Sequence, residues 1–303
     1  MKIRLAYLAC CVIWGSTWMF IALGLRDLPP LTFAALRMAL AALLLLPFAL
    51  RAGLAALPLV GARRIGAVGL LQIGIPYALL FAAQRWIPSG LTAVLFASFP
   101  VWLALVARAM LPDHALTPRK LAAACLGVAG VAVLQLPALR GQNLPLQAPL
   151  GGALVLAASV IVAFANVFTR RDLRPYPPIA VAFLQVASGA LLLALLALVL
   201  ERGRPLSFTP TALLALVYLA VFGTAVTYLF LFWLIPRVPL VAIGAIPLLD
   251  TMVAVTLGTV VLGERVGWPL LVGGALVLCG AFLANLPAPE ATPPSTAPGG
   301  TTR

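Results

Sequence analysis

Residues Pro239–Glu264, PLVAIGAIPLLDTMVAVTLGTVVLGE, decide how this chain must fold. The stretch is long enough to cross a bilayer, which takes about 20 residues at a rise of about 1.5 Å each. Near its middle stands Asp250, the only acid that falls inside an apolar span. A carboxylate at that depth costs several kcal/mol and usually faces a protein cavity, so Asp250 is a functional candidate by position. An imperfect counterpart lies at Pro88–Asp113, PSGLTAVLFASFPVWLALVARAMLPD, which carries no acid before its last residue.

Composition agrees with that stretch. The 303 residues are 63% hydrophobic and 9% charged, with a mean hydropathy of +1.13. A soluble domain carries about 25% charged residues, so the deficit assigns the chain to the polytopic membrane proteins. The net charge of +13 comes from 20 basic and 7 acidic residues. The arginines stand singly or in twos and threes between apolar runs, a pattern that marks topology and argues against nucleic acid as a partner. Cys10, Cys11, Cys125 and Cys279 lie within apolar spans without CxxC spacing, and His114 has no partner near it in sequence. No disulfide framework, metal site, cofactor or catalytic set is expected. Lys2 and Arg4 before an apolar run imitate a signal peptide, but this segment belongs to an internal repeat and is read as the first span.

Cutting at polar and proline-containing breaks predicts ten spans, at about 5–25, 31–50, 65–84, 89–111, 118–136, 150–169, 178–200, 211–234, 239–262 and 268–286. With the N-terminus cytoplasmic, thirteen Lys and Arg fall on the inner side and six on the outer, leaving Arg37 within span 2. The positive-inside rule then puts both termini in the cytoplasm of a multi-pass inner-membrane protein. The tail, 287–303, is rich in Pro, Thr, Ala and Gly and is expected to be disordered.

The halves echo one another. Asp27-Leu28-Pro29-Pro30 answers Arg174-Pro175-Tyr176-Pro177-Pro178, and Trp86-Ile87-Pro88 answers Leu234-Ile235-Pro236. Leu111-Pro112-Asp113 answers Leu262-Gly263-Glu264. The units are 1–137 and 150–286, with 138–149 as the loop between them. Five spans per unit is an odd number, so the second copy enters the membrane inverted. Inverted repeats are a transporter signature, with the substrate site near the midplane.

With these residues the chain resembles the drug/metabolite transporter superfamily, EamA type. The carriers are Val12-Ile13-Trp14-Gly15-Ser16, Ala35-Leu36-Arg37, Ser98-Phe99-Pro100, Leu262-Gly263-Glu264 and the small-residue run Gly273 to Gly280. Two departures stand out: Leu111-Pro112-Asp113 replaces the more usual Leu-Gly-Glu, and the span 9 proline has moved to Pro247. The resemblance implies an all-α inner-membrane carrier that works without ATP and commonly exports amino acids or related metabolites. Spans 1–4 and 6–9 would surround a central cavity, with spans 5 and 10 outside it.

Candidate substrate or cavity residues are Trp14, Ser16, Trp18, Arg37, Gln72, Tyr77, Asn166, Gln185, Tyr228 and Asp250. Asp250 suits either a substrate amine or a coupling proton, or else a structural pairing with Arg37. Arg37 suits a substrate carboxylate or an outward snorkel. Trp14 and Trp18 share one face of span 1 and form either an aromatic wall or plain packing. The neutral polar residues are ligand contacts or interhelical hydrogen-bonders. Pro76, Pro100 and Pro247 lie inside spans and are expected as hinges or kinks, since each removes a backbone donor. Glu264 and Asp113 are expected to cap the next helix or to pair with Arg265 and Arg119. The small residues of spans 5 and 10 suit packing within a monomer or a homodimer.

The leading expectation is a secondary transporter for a small-molecule substrate, with the lipid bilayer as its other partner. A passive facilitator or channel is the nearer alternative. An integral-membrane lipid-modifying enzyme is the remote one, because the seven acids are scattered and form no paired or metal-binding set.

Overall fold

The computed structural model describes residues 2–110, 118–139, 145–234 and 246–286. Expectations for Leu111-Pro112-Asp113, His114, Pro239–Ala245 and the 287–303 tail lie outside those residues. The described chain is all helical. Seven helices are long and apolar enough to cross a membrane, and Cys125–Leu134, Leu249–Leu262 and Trp268–Leu283 are shorter apolar ones. The chain is thus a polytopic integral membrane protein.

Helix α1 runs over Lys2–Gly24 and α2 over Pro30–Arg51. The third span is built from α3 (Leu59–Gly69), a π-helical turn at Leu70–Gly74 and α4 (Ile75–Ala83). The fourth divides into α5 (Ser89–Phe96) and α6 (Phe99–Met110). Then follow α7 (Pro118–Leu139), α8 (Ala148–Asp172) and α9 (Pro178–Leu200). The next span repeats the third, with α10 (Pro210–Ala220), a π-helical turn at Val221–Val226 and α11 (Thr227–Leu234). Helices α12 (Ile246–Leu262) and α13 (Trp268–Asn285) complete the described chain.

Each interruption has a local cause. Pro76 stands just after the first π-turn and withholds an amide from the ladder, which frees a carbonyl one turn back. Pro100 does the same in the fourth span. There the Ser98 hydroxyl donates to the Leu95 carbonyl at 2.6 Å and accepts the Trp102 indole N–H at 3.0 Å, so the break keeps its polar groups satisfied. The second π-turn has no proline. Its widened ring is filled by threonine hydroxyls that donate to carbonyls five residues back, Thr224 to Leu219 and Thr227 to Phe222. Pro247 is the second residue of α12, and its side chain lies outside the description.

The apolar girdle faces outward. Leu191, Leu195, Leu198 and Val199 of α9 and Val260, Leu271 and Phe282 further on are exposed, as a bilayer requires. Helices α7 and α13 pack together through glycines. A Cβ on Gly130 would stand 2.7 Å from the Gly273 carbonyl, and one on Gly280 2.7 Å from the Ala123 carbonyl. The small-residue faces of these two helices are thus filled by each other within one chain.

Three carboxylates stitch one face of the molecule. Glu201, at the end of α9, accepts the Leu31 and Thr32 amides at the start of α2, at 3.0 and 2.8 Å. Glu264, after α12, accepts the Ser89 and Gly90 amides at the start of α5, at 2.8 and 3.0 Å. Asp27, after α1, accepts the hydroxyl of Thr209, which itself caps α10. Helix N-termini carry unpaired donors and partial positive charge, so each acid sits where the backbone favours it. Glu264 does cap a helix, but the one it caps precedes it by 174 residues and is not its neighbour in sequence.

Candidate functional site

The candidate residues separate into two polar clusters, with Asp250 apart from both. The first cluster surrounds Arg37. Helix α2 buries this side chain to 2% exposure. Its Nε donates to the Thr224 hydroxyl at 3.3 Å and its Nη2 to the Gly223 carbonyl at 3.4 Å, both in the second π-turn. The guanidinium carbon lies 5.2 Å from the centre of the Tyr77 ring and 6.0 Å from that of Phe81. Cation–π attraction of this kind contributes about 0.5–2 kcal/mol as water is removed. The turn comes this close because residue 223 has no side chain. A Cβ there would stand 3.3 Å from Nη2 and 2.8 Å from a Thr17 methyl.

Trp14 continues this cluster, edge-on to Tyr228 with ring centres 6.3 Å apart. Trp18 leaves it and packs on Phe96 at 5.7 Å. The two tryptophans therefore face different neighbours and do not form one wall. Ser16 is engaged elsewhere too, within 2.7 Å of the Tyr218 hydroxyl while donating to the Ile13 carbonyl at 2.8 Å.

The second cluster lies between the third, sixth and seventh spans. The Asn166 amide donates to Gln72 Oε1 at 3.2 Å and to the Val162 carbonyl at 2.9 Å. Gln185 donates to the Thr169 hydroxyl at 3.3 Å. A Cβ on Gly69, beside the first π-turn, would stand 2.5 Å from Gln185 Cα and would collide with the Ser188 hydroxyl.

These clusters correspond to one another. Tyr77 and Tyr228 stand 151 positions apart, as do the π-turns that precede them, and Arg37 and Gln185 stand 148 apart. Each span 2-type helix meets the π-turn of the opposite half. Arg37 meets its turn through the guanidinium, whereas Gln185 meets Gly69 through its backbone and sends its amide to Thr169.

Asp250 is half-buried on α12, one turn after Ile246, which packs with Cys10, Cys11 and Leu234 near Trp14. A Cβ on Gly15 would stand 2.5 Å from the Asp250 carbonyl, so α1 and α12 touch at this level. The next residue, Thr251, donates its hydroxyl to the Ala93 carbonyl of α5 at 3.5 Å. Among the described residues Asp250 makes no ion pair with Arg37. The structural pairing of those two residues is therefore not what holds either in place.

Gln84 was not among the sequence candidates. It is 8% exposed, and neither polar atom of its amide has a hydrogen-bond partner among the described residues. Its place at the end of α4 gave no sequence signal, because a glutamine near a span end ordinarily reaches water. Among the described residues no group of three His, Cys, Asp or Glu side chains is arranged to hold a metal. Two open pockets lie at the stitched face. The larger, about 760 Å³, runs between α2 and α9 past Glu201; the smaller, about 320 Å³, includes Arg26, Arg85 and Arg204 beside Asp27.

The EamA-like transporter family profile matches residues 1–136 and again 149–286. The "Uncharacterized inner membrane transporter YedA" of Escherichia coli (strain K12) is 31% identical over 264 residues, covering 86% of this chain and 82% of that protein. The "Probable amino-acid metabolite efflux pump" of Salmonella typhimurium is 28% identical over 281 residues, covering 90% and 91%. A solved crystal structure shares the fold with a TM-score of 0.59 at 22% identity, over 93% of this chain and 96% of its own.

Proposed function

The chain belongs to the EamA-like transporter family, and from that premise we propose that it is a secondary transporter exporting small metabolites such as amino acids by alternating access. In this reading 1–137 and 150–286 are inverted five-helix repeats joined by 138–149, with both termini on the cytoplasmic side of the inner membrane. The substrate sits near the midplane between them. The observation that supports it best is the matched pair of π-turns, each approached by the same position of the opposite half, Arg37 through its side chain and Gln185 through its backbone. Wide turns of this kind recur at functional sites, because they loosen the backbone ladder locally. The amino-acid class is supported by the name of the Salmonella relative.

Asp250 supplies a titratable group beside α1, suited to a substrate ammonium or to a coupling proton. Reconstituted vesicles loaded with a panel of labelled amino acids, with and without a pH gradient, test the proposal. Gradient-driven accumulation is the expected result, and equal rates either way would replace it with facilitated diffusion. Asp250→Asn is expected to lower flux at least tenfold while eluting as the parent does. Undiminished flux in that variant removes Asp250 from the mechanism.

A further inference from the structure

Resting on the transporter reading, we propose that the buried guanidinium of Arg37 is the docking point for a carboxylate carried by the transported solute. A guanidinium has five N–H donors and a charge that water no longer solvates at 2% exposure. Two donors are used, at 3.3 and 3.4 Å, both long for N–H···O bonds whose usual distance is about 2.9–3.0 Å. Both acceptors are neutral, and Nη1 has no hydrogen-bond partner among the described residues. The Thr224 hydroxyl already spends its proton on Leu219.

No described carboxylate balances this charge. Asp250 contacts α1 from α12, while Glu201, Glu264 and Asp27 are committed to helix starts at the stitched face. Tyr77 and Phe81 stabilise the cation through their ring faces and take none of its N–H donors. A planar fork with uncommitted N–H donors is the shape that a carboxylate meets with two parallel bonds. The equivalent position in the other half is Gln185, whose amide is already bonded to Thr169, so only one half carries this feature. A purely structural arginine is better served by a buried acid or by several short carbonyl contacts, and neither is present.

The test uses the purified full-length protein in detergent. Its melting temperature is followed with sodium propionate as the carboxylate probe and propionamide as its neutral match, with sodium chloride holding ionic strength constant. Propionate is expected to raise the melting temperature and propionamide to leave it unchanged. Arg37→Gln is expected to abolish the propionate shift, and Arg37→Lys to keep a smaller one. Without any probe, Arg37→Gln is expected to melt no lower than the parent, because it removes an unbalanced buried charge.

A strong loss of stability in Arg37→Gln together with an undiminished propionate shift in Arg37→Lys makes the residue a structural strut and overturns the proposal. Equal shifts with propionate and propionamide overturn it too, as does no shift with propionate. Where Arg37→Gln does not fold, Arg37→Lys alone decides, through the loss or retention of the difference between the two probes. Vesicle flux separates this inference from the reading beneath it. Transport of decarboxylated amines at the rate of the amino acids sinks the carboxylate and leaves the transporter. A specific propionate shift without flux of any solute sinks the transporter and leaves the anion site.

Discussion

Replacing Glu264 tests whether the stitched face holds the halves together. Its Oε1 accepts the Ser89 amide at 2.8 Å and the Ser89 hydroxyl at 2.7 Å, and Oε2 accepts the Gly90 amide at 3.0 Å. Glu264→Ala leaves two first-turn amides and one hydroxyl of α5 without an acceptor. A hydrogen bond to a charged group contributes about 1.5–3 kcal/mol, but three bonds to one carboxylate are not additive and water reaches a half-buried site. Loss of a helix cap alone costs about 1–2 kcal/mol. The expected loss is therefore about 2–4 kcal/mol for Ala. Glu264→Gln keeps one acceptor and should lose about half as much. Equilibrium unfolding in mixed detergent micelles, read by far-ultraviolet circular dichroism, measures both. A cycle with Ser89→Ala should give a coupling above about 0.5 kcal/mol. If Glu264→Ala stays within about 0.5 kcal/mol of the parent, or if its effect simply adds to that of Ser89→Ala, the cap is not stabilising and the reasoning fails.

The same method addresses two other contacts. A cycle of Gln72→Leu and Asn166→Leu is expected to show a coupling of about 0.6 kcal/mol, typical of interhelical hydrogen bonds in membrane proteins, and no coupling would mean that the 3.2 Å bond is not made in solution. Gly130→Ala should destabilise by about 1–3 kcal/mol, because its Cβ would stand 2.7 Å from the Gly273 carbonyl. Gly66→Ala, whose Cβ meets nothing closer than 3.8 Å, should be neutral or slightly stabilising, and equal effects at the two sites would refute the packing argument.

Features coded by local chemistry were legible before the structure, and those set through space were not. Apolar runs and their proline boundaries located the seven long apolar helices, since span length and helix-breaking are local properties. Pro76 follows the π-turn at Leu70–Gly74, and Pro100 follows the break between α5 and α6. The turn at Val221–Val226 escaped notice because Gly223 and Thr224 are ordinary inside an apolar run; the signal was the 151-residue correspondence with Leu70–Gly74. Arg37 stands out in the sequence as a charge inside a span, yet nothing local pairs it with Asp250 except that both are charges within spans. Its actual neighbours, a glycine carbonyl and a threonine hydroxyl, carry no charge pattern to find. Glu264 was legible as a cap, but which helix it caps depends on packing between segments far apart in the chain.

The three carboxylates also bear on rate. Asp27, Glu201 and Glu264 each join one half of the chain to the other, and all three do so at the same face. A movement that parts the halves there must release them together, since no one cap can yield while its neighbours hold the helices in place. At about 2–4 kcal/mol for Glu264 and about 1–2 kcal/mol for each of the others, the three raise the barrier by roughly 4–8 kcal/mol, which slows opening by a factor on the order of 10³–10⁶. Glu264→Ala is then expected to shorten the lifetime of the closed face even as it weakens the fold, so that single-turnover exchange quickens while the protein melts earlier. Unchanged exchange in that variant would place the slow step elsewhere.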